Sequence, residues 1–141
     1  MTGDRRGPAH LGVSDWVSSV AGVILLLSLF APWERRPASD PALRETLTGW
    51  GSFRIVALAL VVAAAVPIYH AVRRWLGRTG LSPLVVVSAG AAVVTVVLFG
   101  MATRLGIASD PAAGLYVGLL AGAAIAVGGA LRLFRTGPPS G

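Results

Sequence analysis

Four apolar runs, each close to the thickness of a bilayer, divide this chain, and short polar stretches rich in arginine separate them. The pattern predicts helical spans at about 15–31, 53–72, 82–102 and 111–134. The first run is framed by Trp16 and Trp33. Its length, at about 1.5 Å of rise per residue, gives roughly 26 Å, near a hydrocarbon core of about 30 Å. Two tryptophans at that spacing suit the two interfacial belts. Ser14 is placed to cap the helix, Asp15 suits its positive end, and Pro32 stops it. The run is longer than the apolar core of a secretory signal. It ends in Ala31-Pro32-Trp33-Glu34 and not in a small-residue cleavage site, so it reads as an uncleaved span.

The last run carries Gly114, Gly118, Gly122, Ala126 and Ala130, a small residue at every fourth position. On a helix these fall on one face, and such a smooth stripe lets a second helix approach closely in lipid. The stripe serves either packing within the chain or a homodimer. Span 3 has its own small-residue patch at Ser88, Ala89, Gly90, Ala91 and Ala92, the natural partner for span 4. Pro67 lies inside the second run and predicts a kink.

The first loop is the longest. Asp40-Pro41 offers an N-cap followed by proline at the first helical position. Leu43, Leu47 and Trp50 then follow at i, i+4 and i+7, with Gly49 placed to end the helix. This predicts a short amphipathic helix lying on the membrane surface. Asp110-Pro111 repeats the cap-then-proline signal before span 4. Residues 1–13 and 135–141 read as flexible polar tails flanking a single four-span domain at 14–134.

Composition sharpens this picture at three points. Charged residues make up 13% of the chain, against roughly 25% in soluble domains, which fits a membrane protein. The absence of cysteine excludes disulfides, thiolate metal sites and cysteine nucleophiles. The net charge of +6 comes entirely from arginine, and the arginines gather at the ends of the apolar runs. Anchoring and orientation account for them better than nucleic-acid binding does. The N-terminal tail, the second loop and the C-terminal end hold seven of the twelve arginines and, with Asp15 counted on that side, carry +5, against +1 for the other two loops. This places both termini in the cytoplasm, in a plasma membrane, with the long first loop outside.

Candidate chemistry is sparse. No run has an acid or an arginine near its centre, where a coupling residue of a transporter is expected. Asp15 reads as a helix-terminus acid, and His70, near Pro67 and beside Tyr69, reads as an interfacial histidine with a proton relay as the alternative. His10 is in the tail, so the two histidines make no metal set. Arg54 and Arg104, at the ends of spans 2 and 3, join His70 as a possible polar site. No acid, base or nucleophile set for an enzyme and no cofactor motif stands out.

Three stretches carry a resemblance: Leu27-Ser28-Leu29-Phe30-Ala31-Pro32-Trp33, Thr48-Gly49-Trp50-Gly51-Ser52-Phe53, and Gly114 through Gly122 in span 4. Together they resemble small four-span membrane proteins of actinobacteria. That group has no assigned activity, so the resemblance implies a layout and brings no functional residues. Small multidrug exporters are similar in size, but their first span carries a glutamate that is missing here. Fluoride channels share the span count without the polar membrane motifs, and claudin-like proteins share the long first outer loop without its paired cysteines.

The expectation is therefore an all-α integral membrane four-helix bundle with a surface helix in its first outer loop. Its expected role is a non-enzymatic assembly or accessory subunit, with lipid and a membrane-protein partner or a second copy as its contacts and no cofactor. A small transporter or channel is the alternative.

Overall fold

The computed structural model describes residues 11–37, 44–52, 54–104 and 110–135. Five helices and three short strands follow in the order α1 (Val13–Ser28), β1 (Pro32–Pro37), β2 (Arg44–Thr48), α2 (Gly49–Ser52), α3 (Arg54–Trp75), α4 (Pro83–Arg104), β3 (Asp110–Pro111) and α5 (Ala113–Arg135). The chain is mostly helical, and α3, α4 and α5 are long and apolar enough to cross a membrane. At 22 or 23 residues each, they reach about 33 Å. α1 is apolar but shorter, at 16 residues.

α1 begins two residues earlier than a Ser14 cap would allow. Gly12 is the capping residue, and Asp15 reaches back to accept its N–H at 3.2 Å. That contact satisfies one of the donors that a helix start leaves open. The helix stops at Ser28, not at residue 31. Leu29, Phe30 and Ala31 turn their N–H groups to the carbonyls three residues back, at 3.1–3.3 Å, and the tightened turn delivers Pro32 to β1.

The first loop departs most from expectation. In place of a surface helix, residues 44–48 form β2, paired antiparallel with β1. Arg35 faces Thr46, Arg36 faces Glu45, and the register shifts between Pro32 and Glu34. Proline-fixed extended backbone at both ends of β1 and β-branched Thr46 and Thr48 on β2 favour strand. A single helical turn, α2, starts where the predicted helix was to end. Leu43 lies outside the described residues. Asp110-Pro111 does not cap α5 either. It forms β3 on the other edge of β1, giving the order β2-β1-β3, and Ala112 N–H then donates to the Trp33 carbonyl at 2.9 Å. The extended backbone that proline favours is spent on the sheet, and α5 starts two residues later.

α3 runs to Trp75, past the predicted end at 72. Arg73 and Arg74 complement the negative end of the helix dipole. Gly77, at φ +70°, then closes it: Gly77 N–H donates to the Arg74 carbonyl at 3.0 Å and Arg78 N–H to the Arg73 carbonyl at 2.9 Å. Pro67 sits inside this helix, buried against Gly22 of α1.

α5 is central. It packs on α4 and α1, α1 packs in turn on α3, and α3 meets α4. Leu25, Leu29, Leu60, Val93, Ile125 and Trp33 form the core. Gly114 and Gly118 face Trp33, Gly122 faces Val93 of α4, and Ala126 lies against Gly90 of α4. Gly114, Gly118 and Gly122 are thus buried within the chain, and Ala126 and Ala130 are half-buried.

Candidate functional site: a buried ionic cluster at one end of the helices

The first turn of α1 and the last turns of α3 and α5 lie at the same end of the molecule. Helix polarity sets the charges there. An acid suits the start of a helix and bases suit its finish, so Asp15 on α1 meets Arg74 on α3 and Arg132 on α5. His70 and Arg74, four residues apart, share one face of α3 and point at the same partner.

The geometry is close. Arg74 donates through one terminal nitrogen to Asp15 Oδ2 at 2.7 Å. Arg132 lies 3.2 Å and His70 Nε2 lies 3.4 Å from Asp15 Oδ1. Neither contact with Oδ1 is aligned as a hydrogen bond, so that oxygen is held by charge. The Asp15 side chain is 1% exposed, while those of Arg132 and Arg74 are 19% and 29% exposed. The acid is therefore inside, and the bases reach it from the rim along their aliphatic stems.

His70 is held on both ring nitrogens. The Leu81 N–H donates to Nδ1 at 2.8 Å, and the Arg132 guanidinium lies against Nε2. A neutral imidazole has one donor and one acceptor nitrogen. With Nδ1 accepting from Leu81, the proton belongs on Nε2, which faces Asp15. Nε2 thus lies between the Asp15 carboxylate and the Arg132 guanidinium. Gly80 makes this possible: a side chain there would run into the imidazole, with Nδ1 only 2.9 Å from its Cβ. The loop after α3 is thereby laid on the histidine.

Small polar residues complete the end. Ser19 Oγ donates to the Asp15 carbonyl at 2.7 Å, and Ser18 Oγ donates to the Ser14 carbonyl at 3.0 Å. Gly128 of α5 rests on Ser18 and on that Ser14 carbonyl, which brings α5 close enough for Arg132 to reach α1.

The other predicted site residues are elsewhere. Arg54 is exposed at the start of α3, about 24 Å along the helix from His70. Arg104 ends α4, and its side chain lies outside the described residues. His70, Arg54 and Arg104 therefore do not form one site. Leu47 and Trp50 are half-buried at the sheet end, with Trp50 tilted against Phe30 at 6.2 Å between ring centroids.

Reading the sequence missed Arg74 and Arg132 and treated Asp15 and His70 separately. The signal was present. The i, i+4 spacing of His70 and Arg74, and an orientation that puts the first span's start and two helix ends on one side, together bring these four residues near one another.

No protein-family model matches the chain, and no curated protein or solved structure matches it.

Proposed function

We propose that this chain is a multi-pass protein of the plasma membrane in which α1, α3, α4 and α5 form a four-helix bundle with both termini in the cytoplasm. In this reading it is a non-enzymatic subunit that assembles with a membrane-protein partner or with itself. The observation that carries the reading is how little of the apolar helix surface is used internally. Only 28% of the apolar window of α3 and 22% of that of α4 is buried. Surface of that kind is stable against lipid tails or another apolar helix, not against water. Arg73, Arg74, Arg78, Arg132 and Arg135 stand at the cluster end with Asp15 as the described acid there, which supports the cytoplasmic placement. The ionic groups are engaged with one another, which supports a structural lock over a catalytic set.

A second reading, a small transporter, draws on the same cluster. A buried acid and histidine inside membrane helices are the usual means of coupling to protons.

Mass measurement in a mild detergent tests the first reading. A homo-oligomer of fixed size, or one partner at fixed stoichiometry, is the expected result. A monodisperse monomer would overturn it and direct work to vesicle transport assays.

A further inference from the structure

Two apolar grooves run along α1. One lies between α1 and α5, has a volume of about 600 Å³ and has no charged residue in its wall. The other lies between α1 and α3 and measures about 450 Å³, within the range of roughly 300–1,000 Å³ typical of ligand pockets. Its walls are Trp16, Val20, Ile24, Ile68, Val72 and Trp75, and it ends at Asp15 and Ser19. The second groove is thus an apolar slot that closes on the buried Asp15, beside the ionic cluster.

Among the described residues, the cluster sets one acid, Asp15, against two arginines, Arg74 and Arg132. Arg74 uses one terminal nitrogen on Asp15, and its side chain is 29% exposed. Arg78, exposed, follows directly after the turn that closes α3. Guanidinium groups match phosphate oxygens in shape and charge. Trp16 and Trp75, at 60% and 64% exposure, stand at the groove's ionic end, where tryptophan marks the headgroup level.

We propose that the α1–α3 groove holds an anionic phospholipid, with one acyl chain between Val20, Ile24, Ile68 and Val72 and its phosphate against Arg74 and Arg78. The proposal rests on the membrane reading above and gives it a ligand class. The cytoplasmic leaflet, where that reading puts this end, is the anionic one.

The test uses the full chain in detergent, titrated with phosphatidylglycerol or phosphatidylcholine, with bound lipid counted by native mass spectrometry. Flotation of the chain with phosphatidylcholine vesicles, resistant to alkaline extraction, checks the membrane reading by itself. One phosphatidylglycerol should be retained with a preference of roughly fivefold or more over phosphatidylcholine. Arg78→Gln, outside the ion-paired cluster, should bring the two lipids near equality. Ala71→Phe from α3, or Val23→Trp from α1, should fill the slot and abolish retention while flotation is unchanged. Equal retention of both lipids by the unaltered chain would overturn the proposal. So would full retention by both filled variants, or displacement of the lipid by millimolar glycerol phosphate, which would assign the arginines to a free phosphate.

Discussion

At the end where α1 begins, Asp15 is enclosed by Arg74, Arg132 and His70. At the end where α1 stops, Trp33 is enclosed by Gly49, Gly114 and Gly118, and its Nε1 donates to the Ser28 carbonyl at 2.6 Å. Both groups are almost fully buried, and each ties α1 or the strand following it to α5. The means differ. The first closure depends on charge and tolerates side chains that reach in from a solvated rim. The second depends on shape, a large indole set on backbone that carries no Cβ, braced by β1 between β2 and β3. Charge can be neutralised, displaced or attracted to a ligand; a plug can only fit or fail to fit. If one end responds to its surroundings, the ionic end is the one built to do so.

The comparison can be broken most forcefully at Asp15. Asp15→Asn leaves two arginines converging on a site without an anion, and loss of one partner from a buried ionic group typically costs about 3–5 kcal/mol. Unfolding in mixed micelles should show a loss of that order. Adding Arg132→Gln should recover part of it, because one of the stranded charges is gone. A double variant no better than Asp15→Asn alone would show that the cluster is held by something other than charge.

The shape end predicts a steeper dependence on single atoms. A Cβ on Gly114 would lie 2.7 Å from both the Pro32 carbonyl oxygen and Trp33 Cδ1, so Gly114→Ala must displace backbone. Overpacking of this kind costs about 1–3 kcal/mol. At Gly118 the nearest atom is Trp33 Cζ2 at 3.2 Å, a contact that a small ring shift relieves. The helix propensity gained there, about 1 kcal/mol, should leave Gly118→Ala near neutral. Unfolding midpoints of the two variants in the same micelles should fall well apart. Equal effects would mean that Trp33 is not seated as described.

The helices and the ionic cluster were legible to different degrees, for physical reasons. The apolar runs announce themselves because a long helix in lipid needs unbroken hydrophobicity, and α3, α4 and α5 fall within a few residues of their predicted limits. The first loop was misread because Leu43, Leu47 and Trp50 fit a helical period. What decides residues 44–48 is their pairing with β1, which is non-local and leaves no period in the sequence. Asp110-Pro111 misled likewise, since a cap-then-proline signal is also a good edge strand. Asp15 and His70 were noticed, but their joint role depends on which helix ends meet. Arg74 and Arg132 looked like ordinary flanking arginines because the orientation rule accounts for them without any partner.

The smallest expected effect is the most discriminating. If the two closures are separate devices, perturbing one should leave the other untouched. Trp33→Phe removes the donor to the Ser28 carbonyl and part of the ring volume while keeping an aromatic plug. It should cost about 1–2 kcal/mol, close to one buried hydrogen bond plus a small cavity. The cluster and the plug stand about 20 Å apart along α1, at 1.5 Å per residue. Sites that far apart with no shared partner usually add to within about 0.3–0.5 kcal/mol. A double-mutant cycle between Trp33→Phe and Asp15→Asn, measured by unfolding in mixed micelles, should therefore give a coupling no larger than that. A coupling of about 1 kcal/mol or more would mean that α1 transmits strain from one end to the other. Ser19, whose hydroxyl spans the Asp15 and Pro67 carbonyls, and Gly22, seated on Pro67, would then be the places to look for the route.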